Sequence, residues 1–310
     1  MLKIRLAEQK IIELYPSDKI QSPVHLSIGQ EATAVGVCRA MGPLDHIYGT
    51  YRGHGVYIAK GGGLKGMFAE LYGKDTGCAR GKGGSMHLVA PEVGLMGCSA
   101  IVSSLIPPAV GDALASSLQG RQRISVALFG DGAMDEGVYF ESVNFALLKN
   151  LPVLFVCENN GYAIHSKVAD RRKQTRLTRL TEGFGLPARQ YDGNDVFAVH
   201  DQTSKALSRI RKGGGPELLE FSCFRWNEHV GPGVDYAEAY RRPGEKARAL
   251  AADPLEKARS LLRRRFRVTA EQFQACERGV RAEIDEAVRY AEESPFPGAD
   301  QLLAGVYAAR

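Results

Sequence analysis

The sequence predicts an α/β fold, a three-layer arrangement with helices on both faces of a parallel sheet. Three observations lead there. Two apolar runs, Ile124 to Phe129 and Leu151 to Cys157, read as short buried strands. Between them, over 136–149, Tyr139, Phe140, Val143, Ala146 and Leu147 recur at the three-to-four spacing of a helix face. Each run closes on a turn-forming segment, Gly130-Asp131-Gly132 and Glu158-Asn159-Asn160-Gly161. Strand, helix and strand at this length make a crossover unit, whose two strands run parallel.

The other elements follow along the chain. An amphipathic segment over 1–22 reads as a helix ending in a turn at Ser22-Pro23. Helical patterns recur over 31–41 and 64–72, on either side of Gly61-Gly62-Gly63. A second glycine-dense loop occupies 80–87, and Pro107-Pro108 opens a helix to about Leu118, as proline tolerates a first helical turn. A helix over 194–211 precedes a strand over 217–226. The tail, about 254–310, is helical. Thr269 and Gln272 have the spacing of a capping box, an apolar stripe runs from Phe273 to Ala291, and Pro295 and Pro297 end it. With no internal repeat or low-complexity linker, the 310 residues are expected to form one body, 1–310.

Composition narrows the class without naming a function. Hydrophobic residues at 44% and charged residues at 24% suit a globular chain with a full core. The net charge of +5 is too mild to indicate a nucleic-acid or membrane partner. The N-terminal segment is interleaved with charges, unlike a secretory signal, and no apolar run reaches bilayer-spanning length. Six cysteines without a Cys-x-x-Cys pair argue against a zinc ribbon or a disulfide framework. The expected setting is reducing and cytoplasmic.

The chemistry gathers at the crossover unit. Parallel strands bring both carboxyl ends to one sheet edge, roughly 5 Å apart if the strands are neighbours. Asp131 and Asn160 would then offer oxygen atoms to one ion, and such ligands suit magnesium, which recruits phosphates. Gly130 and Gly132 permit close backbone approach, and the following helix would point its free amides at an anion. Either motif alone would be a turn or a loop. Their separation by one crossover unit favours a metal-bound diphosphate.

G-D-G, then 26 residues, then N-N resembles the thiamine diphosphate motif. The flanks narrow the family: H-L-S-I-G-Q-E-A at 25–32, D-H-I-Y-G-T-Y-R-G-H-G at 45–55, A-R-G-K-G-G-S-M-H at 79–87, G-D-G-A-M-D-E-G at 130–137 and E-N-N-G-Y-A-I at 158–164. In that order they resemble the alpha subunit of 2-oxo acid dehydrogenase first components, the group of the pyruvate, acetoin and branched-chain enzymes. The tail segment A-V-R-Y-A-E-E-S-P-F-P also fits.

The resemblance implies that Asp131, Asn160 and the Tyr162 carbonyl hold Mg2+, and that Gly132 and Ala133 present backbone groups to the diphosphate of thiamine diphosphate. It places Tyr51 and Arg52 on the phosphates, where a planar guanidinium can pair two oxygens. It sets Ala100 and Val102 beside the aminopyrimidine, although glycine is commoner where Ala100 stands. His229 would approach the diphosphate and His25 the 2-oxo acid, while His54 and His87 are expected to be structural or at the rim. The basic clusters 171–179 and 263–267 are expected to be solvated helix faces.

The resemblance also implies a beta subunit that supplies the pyrimidine-side domain and an activating glutamate, in an alpha2-beta2 assembly. A lipoyl acyltransferase and a small 2-oxo acid are the further implied partners. One departure stands out: the family's loop H-S-x-S-D is replaced by R-W-N-E-H-V-G-P-G at 225–233, which brings Glu228 near the expected diphosphate. Decarboxylation of a pyruvate-like 2-oxo acid with acyl transfer is therefore the leading expectation. A two-subunit carboligase passing an acyl or ketol unit to a carbonyl compound is the alternative. A non-catalytic scaffold or a nucleic-acid binder is disfavoured by intact Asp131, Asn160 and Arg52 and by the lack of a base-stacking module.

Overall fold

The computed structural model describes residues 1–234, 240–242 and 244–305. Helices α1 (Leu2–Leu14) and α2 (Glu31–Ala40) precede strand β1 (His46–Thr50). Helices α3 (His54–Lys60) and α4 (Leu64–Leu71) lead to β2 (Leu95–Ser99), α5 (Ile106–Leu118), β3 (Ser125–Gly130), α6 (Gly137–Leu148) and β4 (Val153–Asn159). A short hairpin, β5 (Tyr162–Ala163) and β6 (Ser166–Lys167), is followed by α7 (Val168–Arg171), α8 (Leu177–Glu182), β7 (Ala188–Asp192), α9 (Val196–Arg209) and β8 (Glu217–Ser222). Helices α10 (Glu245–Ala251), α11 (Pro254–Phe266) and α12 (Ala270–Glu293) form the tail.

The six longer strands make one sheet in the order β2-β1-β3-β4-β8-β7, with every pairing parallel. Successive side chains leave opposite faces of a strand. Val126, Leu128, Leu154 and Val156 therefore enter one core with α1, α2, α4, α9 and α12. Ala127, Phe129, Val153 and Phe155 enter a second core with α5, α6 and α8. Cover on both faces explains why these runs lack polar alternation. Truncating Phe155 to alanine would leave a cavity at the sheet centre, at a cost of about 3–5 kcal/mol.

The expected layers are present, and the differences lie at ends and edges. The first helix stops at Leu14, because Pro16 and the left-handed Asp18 turn the chain through a tight 3-10 segment. The strand expected over 217–226 ends at Ser222, after which the chain leaves the sheet toward the loop at 225–233. The capping box forms: Thr269 Oγ1 accepts from Gln272 N at 3.3 Å, and Gln272 Oε1 from Thr269 N at 2.9 Å. The last five residues of the expected tail, 306–310, lie outside the described residues. Among the described residues no helix is long and apolar enough to cross a membrane.

Candidate active site

Strands β3 and β4 are hydrogen-bonded neighbours with Gly130 opposite Glu158, so Asp131 and, one residue beyond its level, Asn160 both leave the carboxyl edge and line one cavity. Asp131 is 1% exposed. Burial pushes its carboxyl above the usual range, and the adjacent Arg171 guanidinium opposes that shift. A 3-10 turn, Asp131–Asp135, separates β3 from α6, so the amides nearest the strand end belong to this turn. That corrects the expectation that the first turn of the helix would lie there.

The two asparagines divide their work. Asn159 Nδ2 donates to Glu220 Oε1 at 2.7 Å and ties β4 to β8. Asn160 turns the other way: its Oδ1 accepts from Tyr162 N at 3.2 Å and its Nδ2 donates to Gln30 Oε1 at 3.3 Å. Gly161, between Asn160 and Tyr162, has φ +83°, a value that glycine accommodates without strain. Tyr162 opens the hairpin, with its hydroxyl donating to Glu245 at 3.0 Å. A Cβ on Gly132 would stand 2.8 Å from the Ala163 Cβ, so the hairpin packs directly on the G-D-G turn. Ala133 O accepts from Ser103 Oγ at 2.8 Å, joining that turn to the segment after β2.

Asp131, Gly132, Ala133, Asn160 and Tyr162 line a cavity of about 510 Å³ together with His25, Tyr51, Arg52, Ala100, Val102 and His229. The rings of His25, Tyr51 and His229 form a cluster, with centroids 4.5 Å apart for His25–Tyr51, 5.1 Å for His25–His229 and 5.5 Å for Tyr51–His229. Burial, then the Arg52 charge, pulls both imidazoles down to about 3. Each is neutral at ordinary pH and offers one donor and one acceptor. Among the described residues, buried His25 Nδ1 meets no hydrogen-bond partner. Arg52 is buried and donates to Leu26 O at 2.6 Å and to His229 O at 3.2 Å.

Sequence reasoning missed several lining residues. Arg171 was expected on a solvated face; instead it and Arg172 turn inward, onto Asp131 and Asp135, because β5, β6 and α7 fold back over the G-D-G turn. The 263–267 cluster is exposed as expected. Glu158, buried in the cavity wall, is raised to about 7 by desolvation. Arg225 is fully buried and donates to Ile164 O at 3.2 Å and approaches His229 Nδ1 at 3.3 Å. Its only sequence signal was its place in the departing loop. Glu228, expected near an anion, does not line the cavity; its Oε1 accepts from Gly233 N at 2.8 Å and braces its own loop. His54 is structural, bonded to Glu8 and Ser85.

The donor set suits a cation-bridged diphosphate. Asp131 offers a buried carboxylate that already holds a cationic side chain, Asn160 offers an amide oxygen, and Arg52 brings a positive charge whose partners are carbonyl oxygens. Among the described residues no three His, Cys, Asp or Glu side chains gather as a metal centre would. A divalent ion here would therefore rest on one carboxylate with amide and carbonyl oxygens, a set that suits magnesium.

A cavity at the carboxyl edge of a parallel sheet is the usual ligand site of an open α/β fold. The pattern of the dehydrogenase E1 component matches residues 1–300, and the chain belongs to that family. It is 37% identical over 308 residues to the alpha subunit of acetoin:2,6-dichlorophenolindophenol oxidoreductase from Bacillus subtilis (strain 168), covering 99% of this chain and 91% of that one. It is 33% identical over 315 residues to the pyruvate dehydrogenase E1 component subunit alpha of Porphyra purpurea, covering 99% and 91%.

Proposed function

We propose that this chain is the alpha subunit of a two-subunit enzyme that decarboxylates a pyruvate-like 2-oxo acid and passes on the acyl group, using thiamine diphosphate and Mg2+. The observation that carries the reading is the convergence of Asp131 and Asn160 at neighbouring strand ends, over a glycine turn and beside Arg52. Asp131, Asn160 and the Tyr162 carbonyl would hold the ion, and Gly132, Ala133, Tyr51 and Arg52 the diphosphate. Ala100 and Val102 would flank the aminopyrimidine. The chemistry supplied by the cofactor is electron storage while carbon dioxide leaves the 2-oxo acid.

The chain's own residues bind, orient and exclude water. Arg52 neutralises phosphate charge in a site of low effective dielectric, where an ion pair is stronger than in water. His25, neutral, can donate one hydrogen bond and accept another in the cavity wall, whereas His229, set edge to face against it and with Nδ1 accepting from Arg225, keeps Nε2 as a donor. Ile101, 71% exposed beside the cavity, and Ile164 leave an apolar rim that a beta chain would cover. That chain would also supply the activating carboxylate.

Co-expression with a beta chain of the same family, followed by a decarboxylation assay on pyruvate with an artificial electron acceptor, tests the reading. Activity is expected from the mixture alone. A purified alpha chain that turns over as fast as the mixture would rule out the shared site.

A further inference from the structure

The glycine loop over 79–87 reaches the cavity through Met86. It is wound around one buried carboxylate. Glu70 Oε2 accepts from Ala79 N at 2.7 Å and Gly81 N at 3.0 Å, and Oε1 from Gly83 N at 2.7 Å and Gly84 N at 3.0 Å. Gly81 and Gly84 have φ +74° and +56°, so a side chain at either would strain the loop. The far end is fixed separately: Ser85 N donates to Ser22 Oγ at 3.0 Å, and Ser85 Oγ meets His54 Nε2 at 2.9 Å.

His87 leaves this loop and touches the wall of the cavity. Its Nδ1 lies 3.2 Å from Gly83 O, and its Nε2 accepts from Ala100 N at 3.3 Å. A carbonyl can only accept and an amide N–H can only donate. Both contacts are therefore satisfied by one neutral tautomer, with the proton on Nδ1. Ala100 begins the tight turn in which Ile101 N donates to Ser99 Oγ at 3.2 Å and Ser103 has φ +63°. His87 thus spans from the carboxylate-bound loop to the peptide that enters the cavity wall.

We propose that Glu70 and His87 are positioning residues for the cofactor pocket: the carboxylate sets the course of the glycine loop, and the imidazole transmits it to the peptide entering Ala100. The inference rests on the reading that Ala100 and Val102 flank the cofactor ring. Neither side chain is needed to touch the cofactor. Loss of the link frees the wall to shift, which weakens cofactor binding and leaves the chemistry of a bound complex largely intact.

The test uses the protein assembled with its beta chain, titrated calorimetrically with thiamine diphosphate at saturating Mg2+, with KM for the cofactor and kcat measured in parallel. His87→Phe removes both contacts at an exposed position and should raise Kd and KM about tenfold, with kcat within about twofold. His87→Gln, whose amide oxygen can still accept the Ala100 N–H, should return to within about threefold of the parent. Glu70→Gln sets an NH2 group against two N–H donors and should weaken binding in the same direction. If it does not fold, the His87 pair decides. Wild-type affinity in His87→Phe, or equal weakening in the glutamine variant, overturns the proposal. Asp131→Ala separates the two readings: if it loses affinity while His87→Phe does not, only the positioning role fails. If neither loses affinity, the site itself is wrong.

Discussion

Replacing Arg52 with methionine should separate stability from binding. Burial, then repulsion from Arg225, pulls the Arg52 guanidinium down to about 10 from an ordinary 12.5. At 1.36 kcal/mol per unit, carrying that charge costs the fold about 3 kcal/mol. Methionine removes this cost and keeps most of the packing volume. It also removes two charge-assisted hydrogen bonds, to Leu26 O and His229 O, each contributing roughly 1.5 kcal/mol. The two effects nearly cancel, so the cofactor-free variant should unfold within about 1 kcal/mol of the parent. Removing one partner of a buried ion pair costs about 3–5 kcal/mol instead. Affinity for thiamine diphosphate should fall about thirtyfold, roughly 2 kcal/mol, through loss of a phosphate-binding cation. Denaturant unfolding and calorimetric titration measure the two quantities. A variant destabilised by more than about 3 kcal/mol, or one that binds as tightly as the parent, would refute the reasoning.

The cavity's titrating groups give two pH predictions of opposite sign. Below about 6.5 the unfolded chain takes up protons that His25 and His229, held down to about 3, refuse. Stability of the cofactor-free protein should therefore drop as pH falls from 6.5 toward 3, by up to about 1.4 kcal/mol per unit for each histidine. The double variant His25→Asn, His229→Asn should flatten the slope between pH 6 and 5, and an unchanged slope there argues against the assignment. Glu158, raised to about 7, acts in reverse, since its unfolded form ionises from about 4.5 while the buried form keeps its proton. Glu158→Gln should stabilise the cofactor-free protein by about 1–3 kcal/mol at pH 8 and by little at pH 4, as followed by denaturant unfolding at both values.

Much of the site was legible because two neighbouring strands carry it. The runs that became β3 and β4 are buried on both faces, so they stand out as apolar blocks, and their end motifs fall together by the geometry of the crossover. Strands β1, β2 and β7 were not legible. His46-Ile-Tyr-Gly-Thr50 and Leu95-Met-Gly-Cys-Ser99 each carry a glycine, which reads as a turn; close packing accounts for the first, since a Cβ on Gly49 would meet the Cys98 Sγ at 3.0 Å, whereas one on Gly97 would meet only Leu105 Cδ1 at 4.0 Å. Strand β7 lies at the sheet edge with its polar side chains in solvent, so no apolar pattern marks it. The inward turn of Arg171 was hidden because its partners, Asp131 and Asp135, are distant in sequence and a local reading sees only a basic cluster. Glu70 was hidden for a related reason. A carboxylate in a helical pattern reads as solvated, and only the folded glycine loop supplies the four amides that bury it.

Calorimetric titration of the assembled protein with thiamine diphosphate tests most directly whether Asp131 anchors a metal-bridged diphosphate. Binding should require Mg2+ and disappear with a chelator, and Asp131→Ala should weaken it at least tenfold, about 1.4 kcal/mol. Affinity that is indifferent to the metal, or a variant that binds as tightly as the parent, would contradict the account.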